Sequence, residues 1–99
     1  MANKILYYGI IEGQGRVISL GAEGEFETLI LDSSGFPEEI RGGEEIAVNG
    51  VCLTIQSNQN NLLTFNLWPS TLEKTNLGQL TPGTAVNLER NRNRDFYIK

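Results

Sequence analysis

Short apolar runs alternate along the chain with clusters of Gly, Asn, Asp and Pro, the pattern of strands joined by turns. Residues 6–11 are apolar and β-branched enough for a first strand, and extended character resumes over 16–20 after Gly13 and Gly15 loosen the backbone. Gly-Ala-Glu-Gly at 21–24 reads as a turn into a strand over 26–31, which Ser34-Gly35-Phe36-Pro37 ends. Pro37 suits the start of a single helical turn through Ile40, because proline is tolerated in a first turn. Apolar stretches at 46–48 and 51–55 flank Asn49-Gly50, which favours positive φ and is the strongest hairpin signal present. A second polar turn at 58–61 leads to a strand over 62–68. Ser70-Thr71-Leu72-Glu73 has capping-box spacing and Gly78 stands at a C-cap position, which predicts a short helix over 70–77. Pro82-Gly83 turns the chain into a last strand over 84–89, and the polar, basic 90–94 reads as a fraying end. The expectation is an all-β fold, one small antiparallel barrel over 1–90 with a polar C-terminal tail at 91–99.

At 99 residues there is length for one core, and a chain of this size buries about two-thirds of its unfolded surface. Apolar residues at 39% and charged residues at 20% are those of an ordinary globular domain. A net charge of −4 speaks against a nucleic-acid or anionic-membrane partner, which calls for a positive surface. No apolar run is long enough for a membrane helix, and no signal pattern opens the chain, so a cytoplasmic location is expected. The chain has no histidine and one cysteine, so neither an internal disulfide nor a His/Cys zinc site is expected.

Alternation gives the strands at 51–56 and 62–68 two distinct faces. Val51, Leu53 and Ile55 form one apolar set and Leu63, Phe65 and Leu67 the other, leaving Cys52, Thr54, Gln56, Thr64, Asn66 and Trp68 on the opposite side. Pairing Leu53 with Phe65 makes the apolar sets meet and sets Cys52 opposite Asn66 and Thr54 opposite Thr64. Such a patch of neutral donors and acceptors suits a planar, polyhydroxylated heterocycle, although a solvated hairpin face has the same composition. Cys52 equally suits a small buried hydrophobe, and Trp68 suits either core or a stacking surface.

Several longer stretches resemble a known family. Residues 43–55, containing AVNGVCLTI, resemble the AVNGVCLTV segment of the lumazine-binding domain of riboflavin synthase. STLEKTNLG at 70–78 resembles its ETLRRTNLG, VNLER at 86–90 matches its VNLER, and YGIIE at 8–12 resembles the start of its MFTGIVEE. These occur in the family's order and spacing across 7–90. The resemblance implies a six-stranded Greek-key antiparallel barrel with one or two short helices. It implies an enzyme with two such repeats, which dismutates two 6,7-dimethyl-8-ribityllumazine molecules to riboflavin by moving a four-carbon unit, without metal or added cofactor. Holding the two molecules between barrels supplies proximity and orientation. Carried over by position, the ligand contacts fall on Gly9, Ile10 and Ile11, and on Cys52, Leu53 and Thr54 at the pyrimidine-like ring edge. A third set, Asn66, Leu67, Trp68, Pro69, Ser70 and Thr71, is placed to touch the ribityl chain and ring.

The chain also departs from that pattern. The second repeat's Gly-Gly-His…Gly-His opening is replaced by 91–99, without histidine, and residues 1–5 extend the N-terminus. Glu45 stands where serine is common, Ser70 where the family has glutamate, and Asn66 where aspartate is frequent. The expectation is a binder of riboflavin, FMN or ribityllumazine without turnover, in a homodimer or other homo-oligomer. The alternative is a riboflavin synthase or its isolated domain. A third reading, a nucleic-acid-binding barrel using Arg90, Arg92 and Arg94, conflicts with the acidic balance. Gly13-x-Gly15 lacks the third glycine of a dinucleotide fingerprint, and Glu38-Glu39 and Glu44-Glu45 read as solvated loop carboxylates.

Overall fold

A computed structural model describes the backbone of residues 3–98 and the side chains of residues 10–90. The strands are β1 (Asn3–Glu23), β2 (Phe26–Asp32), β3 (Glu45–Val48), β4 (Val51–Thr54), β5 (Ser57–Gln59), β6 (Leu62–Leu67) and β7 (Ala85–Ile98). A helix, α1 (Pro69–Lys74), and a 3₁₀ turn at Leu77–Gln79 join β6 to β7. All strand pairs are antiparallel, in one curled sheet of order β4-β3-β7-β1-β2-β6-β5. The all-β barrel class expected from the sequence is the one observed, with the short β5 making seven strands among the described residues.

The first two expected strands are one. β1 runs through Gly13 and Gly15 without a break, pairing with β7 up to Arg16 and with β2 from Arg16 onward. At the changeover the Val17 N–H donates to the Thr84 carbonyl at 2.8 Å, and the Val17 carbonyl accepts from the Gly83 N–H at 2.8 Å. A register shift between Val17 and Ser19 leaves Ile18 as a bulge residue facing solvent, which bends the strand. Beyond Arg90, where the sequence reading places a tail, β7 continues to Ile98 in register with β1.

The sheet is curled so that its two edge strands, β4 and β5, follow each other directly in the chain. The Ile55 N–H donates to the Glu44 carbonyl and the Ile55 carbonyl accepts from the Gly43 N–H, while the next N–H, of Gln56, donates to the Thr64 carbonyl. One residue step therefore carries the chain from the β3 side of the sheet to the β6 side. This corrects the expected Leu53–Phe65 hairpin: Leu53 pairs with Ile46, Cys52 with Ala47, and Thr64 with Ser57. Two tight turns impose that register. Asn49-Gly50 has φ of 49° and 84°, and Asn60-Asn61 has φ of 53° and 66°, so each is a two-residue turn with both central residues left-handed.

Alternation puts Leu29 and Leu31 of β2, Ile46 and Val48 of β3, Leu63, Phe65 and Leu67 of β6, and Val86 and Leu88 of β7 inside. Burying each of these stabilises by about 1.5–3 kcal/mol relative to exposure. Phe36 and Ile40 of the loop after β2 complete this core. No helical turn forms at 37–40, since the segment must stretch to bury both Phe36 and Ile40. Gly13 lets that loop approach: a Cβ there would lie 2.8 Å from Phe36 Cδ1 and 2.9 Å from Phe36 Cα. The expected helix is also shorter, ending at Lys74, with no side-chain cap at its start. Thr75 is extended, its hydroxyl donating to the Thr71 carbonyl and accepting from the Leu77 N–H, so Gly78 falls in the 3₁₀ turn instead of at a C-cap.

Candidate functional site

The outer wall over β1, β7, β3 and β4 carries a recess of about 480 Å³ lined by Ile10, Glu45, Ile46, Ala47, Gly50, Cys52 and Glu89. Strand register explains the grouping. Ala47 pairs with both Cys52 and Glu89, and Glu89 pairs with Glu12, two residues from Ile10. Directly paired side chains share a face, so these point outward where Ile46 and Val48 point inward. Thr54 extends the same outward row and pairs with Glu45.

Chemistry in the recess is set by Cys52 and Glu45. The thiol donates to Glu45 Oε2 at 3.6 Å. Burial pushes the thiol pKa up, and the hydrogen bond to the Glu45 carboxylate and its negative charge push in the same direction. Cys52 is therefore a neutral hydrogen-bonding thiol and a weak nucleophile near neutral pH. Among the described residues no group of three or more His, Cys, Asp or Glu side chains is arranged to hold a metal ion. No helix among them is long and apolar enough to cross a membrane.

β4 comes alongside β6 across the seam where the chain changes sheet edge. Asn66 and Trp68 face outward there, while Phe65 and Leu67 point into the core. Trp68 packs its ring against Phe26 with centroids 4.8 Å apart at a 56° tilt. Pro69 and Ser70 open α1 exposed, and Thr71 is half-buried with its N–H donating to the Trp68 carbonyl.

The residues singled out in the sequence thus divide. Ile10 and Cys52 share the recess, and Thr54 lies beside it on β4. Asn66 faces outward on β6, and Trp68, Pro69, Ser70 and Thr71 follow that strand into α1. Leu53 and Leu67 are core side chains, so they offer a ligand only backbone groups, and Ile11 packs against the core. Gly9 lies in β1 outside the residues whose side chains are described. Sequence reasoning missed Ala47, Glu89 and Phe26, and took Glu45 for a solvated loop carboxylate. The Asn49-Gly50 turn held the missing signal: a two-residue hairpin places Glu45 and Ala47 opposite Thr54 and Cys52.

A curled antiparallel wall around one core, with a recessed polar outer face, defines a small β-barrel domain. The family model described as the lumazine binding domain matches residues 8–91, and the chain belongs to that family. Riboflavin synthase of Actinobacillus pleuropneumoniae is 38% identical over 85 residues, and that of Bacillus subtilis (strain 168) is 39% identical over 85. Riboflavin synthase of Escherichia coli (strain K12) is 33% identical over 86 residues. In each case the match covers 86% of this chain and 40% of the relative, so the chain spans well under half the length of these curated relatives.

Proposed function

We propose that this domain binds riboflavin, FMN or 6,7-dimethyl-8-ribityllumazine on its outer wall, across the seam between β4 and β6, and holds it without turnover. One observation carries the reading. β4 and β6 approach each other near the Ile55–Gln56 crossover, with Cys52 and Thr54 outward on β4 and Asn66 and Trp68 outward at the end of β6. Neutral donors and acceptors next to an exposed aromatic surface suit a ligand with an amide-like ring edge and a polyol chain. Thr54 and the backbone of 52–54 address the ring edge, and 66–71 the ribityl chain and ring.

Absence of turnover is supported by the chemistry of the wall. The wall's thiol is neutral, and the chain has no histidine to move a proton. A homodimer would place two walls face to face, and sedimentation with and without ligand reads that association.

Titration of the purified chain with riboflavin and ribityllumazine tests the reading. The expected outcome is saturable binding of ligand with no riboflavin formed from ribityllumazine over hours. Thr54→Ala should weaken binding by about 0.5–1.5 kcal/mol, or two- to tenfold in Kd. The names of the relatives favour a second reading, riboflavin synthase activity, and conversion of ribityllumazine to riboflavin would establish it instead.

A further inference from the structure

We infer that Trp68 makes the bound flavin dark: its indole stacks on the ring and quenches the excited state by electron transfer. The inference rests on the proposed ligand site and deepens it, from a carrier of unspecified photochemistry to one that does not emit.

Trp68, directly after β6, departs from the inward apolar alternation of that strand. Leu63, Phe65 and Leu67 are fully buried, whereas Trp68 is 48% exposed. Its backbone is nevertheless pinned. The Trp68 carbonyl accepts from the Thr71 N–H at 2.9 Å and the Leu72 N–H at 3.0 Å, and Pro69 follows it into α1. The indole is supported by Phe26, which leaves its remaining surface toward solvent on the wall shared with Asn66. A large aromatic held at backbone and ring, yet left half open at the end of β6, is a preformed platform for a flat ring.

Indole is electron-rich, and an oxidised isoalloxazine ring is electron-poor. In contact, excitation of the flavin lets one electron pass from the Trp68 indole to the excited ring, giving an indole radical cation and a flavin radical anion. The electron then returns, restoring both partners. No bond forms or breaks, and no external oxidant or reductant is needed.

The test uses the full chain and riboflavin, with binding read by equilibrium dialysis, which does not depend on emission, and the emission lifetime of the bound ligand measured in parallel. The expected result is bound riboflavin with most of its emission lost. Trp68→Phe should bind within about two- to tenfold of the parent while recovering emission. Phe26→Leu, which removes the support and keeps the indole, should recover part of it. Bright bound riboflavin in the parent chain, or a Trp68→Phe variant that binds and stays dark, overturns the inference and leaves the site intact. No binding by dialysis overturns the site itself and this inference with it.

Discussion

Cys52 shows how far one side chain's chemistry is set by its strand neighbour. It lies opposite Ala47, and its thiol reaches Glu45 two residues away along β3, on the same outward face. Burial, then the hydrogen bond and charge of Glu45, raise its pKa above the ordinary thiol value near 9.0. A raised folded-state pKa contributes stability that is present below the ordinary value and is lost as pH rises through the folded one. Alkylation of Cys52 should therefore be slow at neutral pH and set in at higher pH than for a free thiol. Glu45→Gln should shift that profile down in pH, and an unchanged rate profile would refute the assignment. Gly13 offers a purely steric case. A Cβ there meets Phe36 Cα at 2.9 Å, backbone that cannot rotate aside. Gly13→Ala should cost about 1–3 kcal/mol in urea unfolding, in the range of other overpacking substitutions. The sequence reading took this glycine as a loosened backbone, because nothing local reveals that Phe36, over twenty residues away, is the reason for it.

Strand faces were legible from alternation, while partners were not. The apolar sets expected to face inward do so: Leu53 and Ile55, with Val51 half-buried against the core, after Asn49-Gly50, and Leu63, Phe65 and Leu67 after Asn60-Asn61. The register between those strands was missed because it depends on which two residues of 58–61 make the turn, and on the bend at Ile55–Gln56. Neither leaves a period in the sequence. Two left-handed asparagines at 60 and 61 fix the observed pairing Gln59 with Leu62 and Ser57 with Thr64. Asn61 bears strain that glycine would not, while its carbonyl accepts from both the Ser33 N–H and the Ser33 hydroxyl. Asn61→Gly retains that carbonyl and creates Asn-Gly, a preferred two-residue turn, so it should be neutral or stabilise by up to about 1 kcal/mol. Asn61→Val should destabilise, since a β-branched residue is a poor occupant of positive φ. Thermal unfolding of the pair checks both signs. The helix was foreseen from Ser70, but its end was not, because the Thr75 hydroxyl takes up a carbonyl that a glycine C-cap would otherwise have served.

At the scale of the whole molecule, the long loop between β2 and β3 completes the core and is tied to the last strand. Phe36 and Ile40 supply apolar contacts, and Arg90 of β7 supplies a cluster of polar ones. Arg90 Nη1 donates to Glu38 Oε1 at 3.1 Å and to the Glu39 carbonyl at 3.2 Å, while Nη2 donates to Glu44 Oε1 at 2.6 Å. In the sequence these carboxylates looked solvated and Arg90 looked like the start of a basic tail. Only the register of β7, which sets Ile11 opposite Arg90, shows that the guanidinium shares the inward side of the wall with the loop. The Arg90 side chain is 18% exposed, so the clasp is screened less than a surface pair and stronger than one. Arg90→Met keeps the apolar stem and removes the donors, and it should lower stability by about 1.5–3 kcal/mol, the range for hydrogen bonds to charged groups. Glu44→Gln in the parent should cost part of that, and in the Arg90→Met background should cost much less, because its partner is already gone. A double-mutant cycle by urea unfolding reads the coupling directly. Strictly additive losses would mean that Arg90 and Glu44 do not act as a coupled pair.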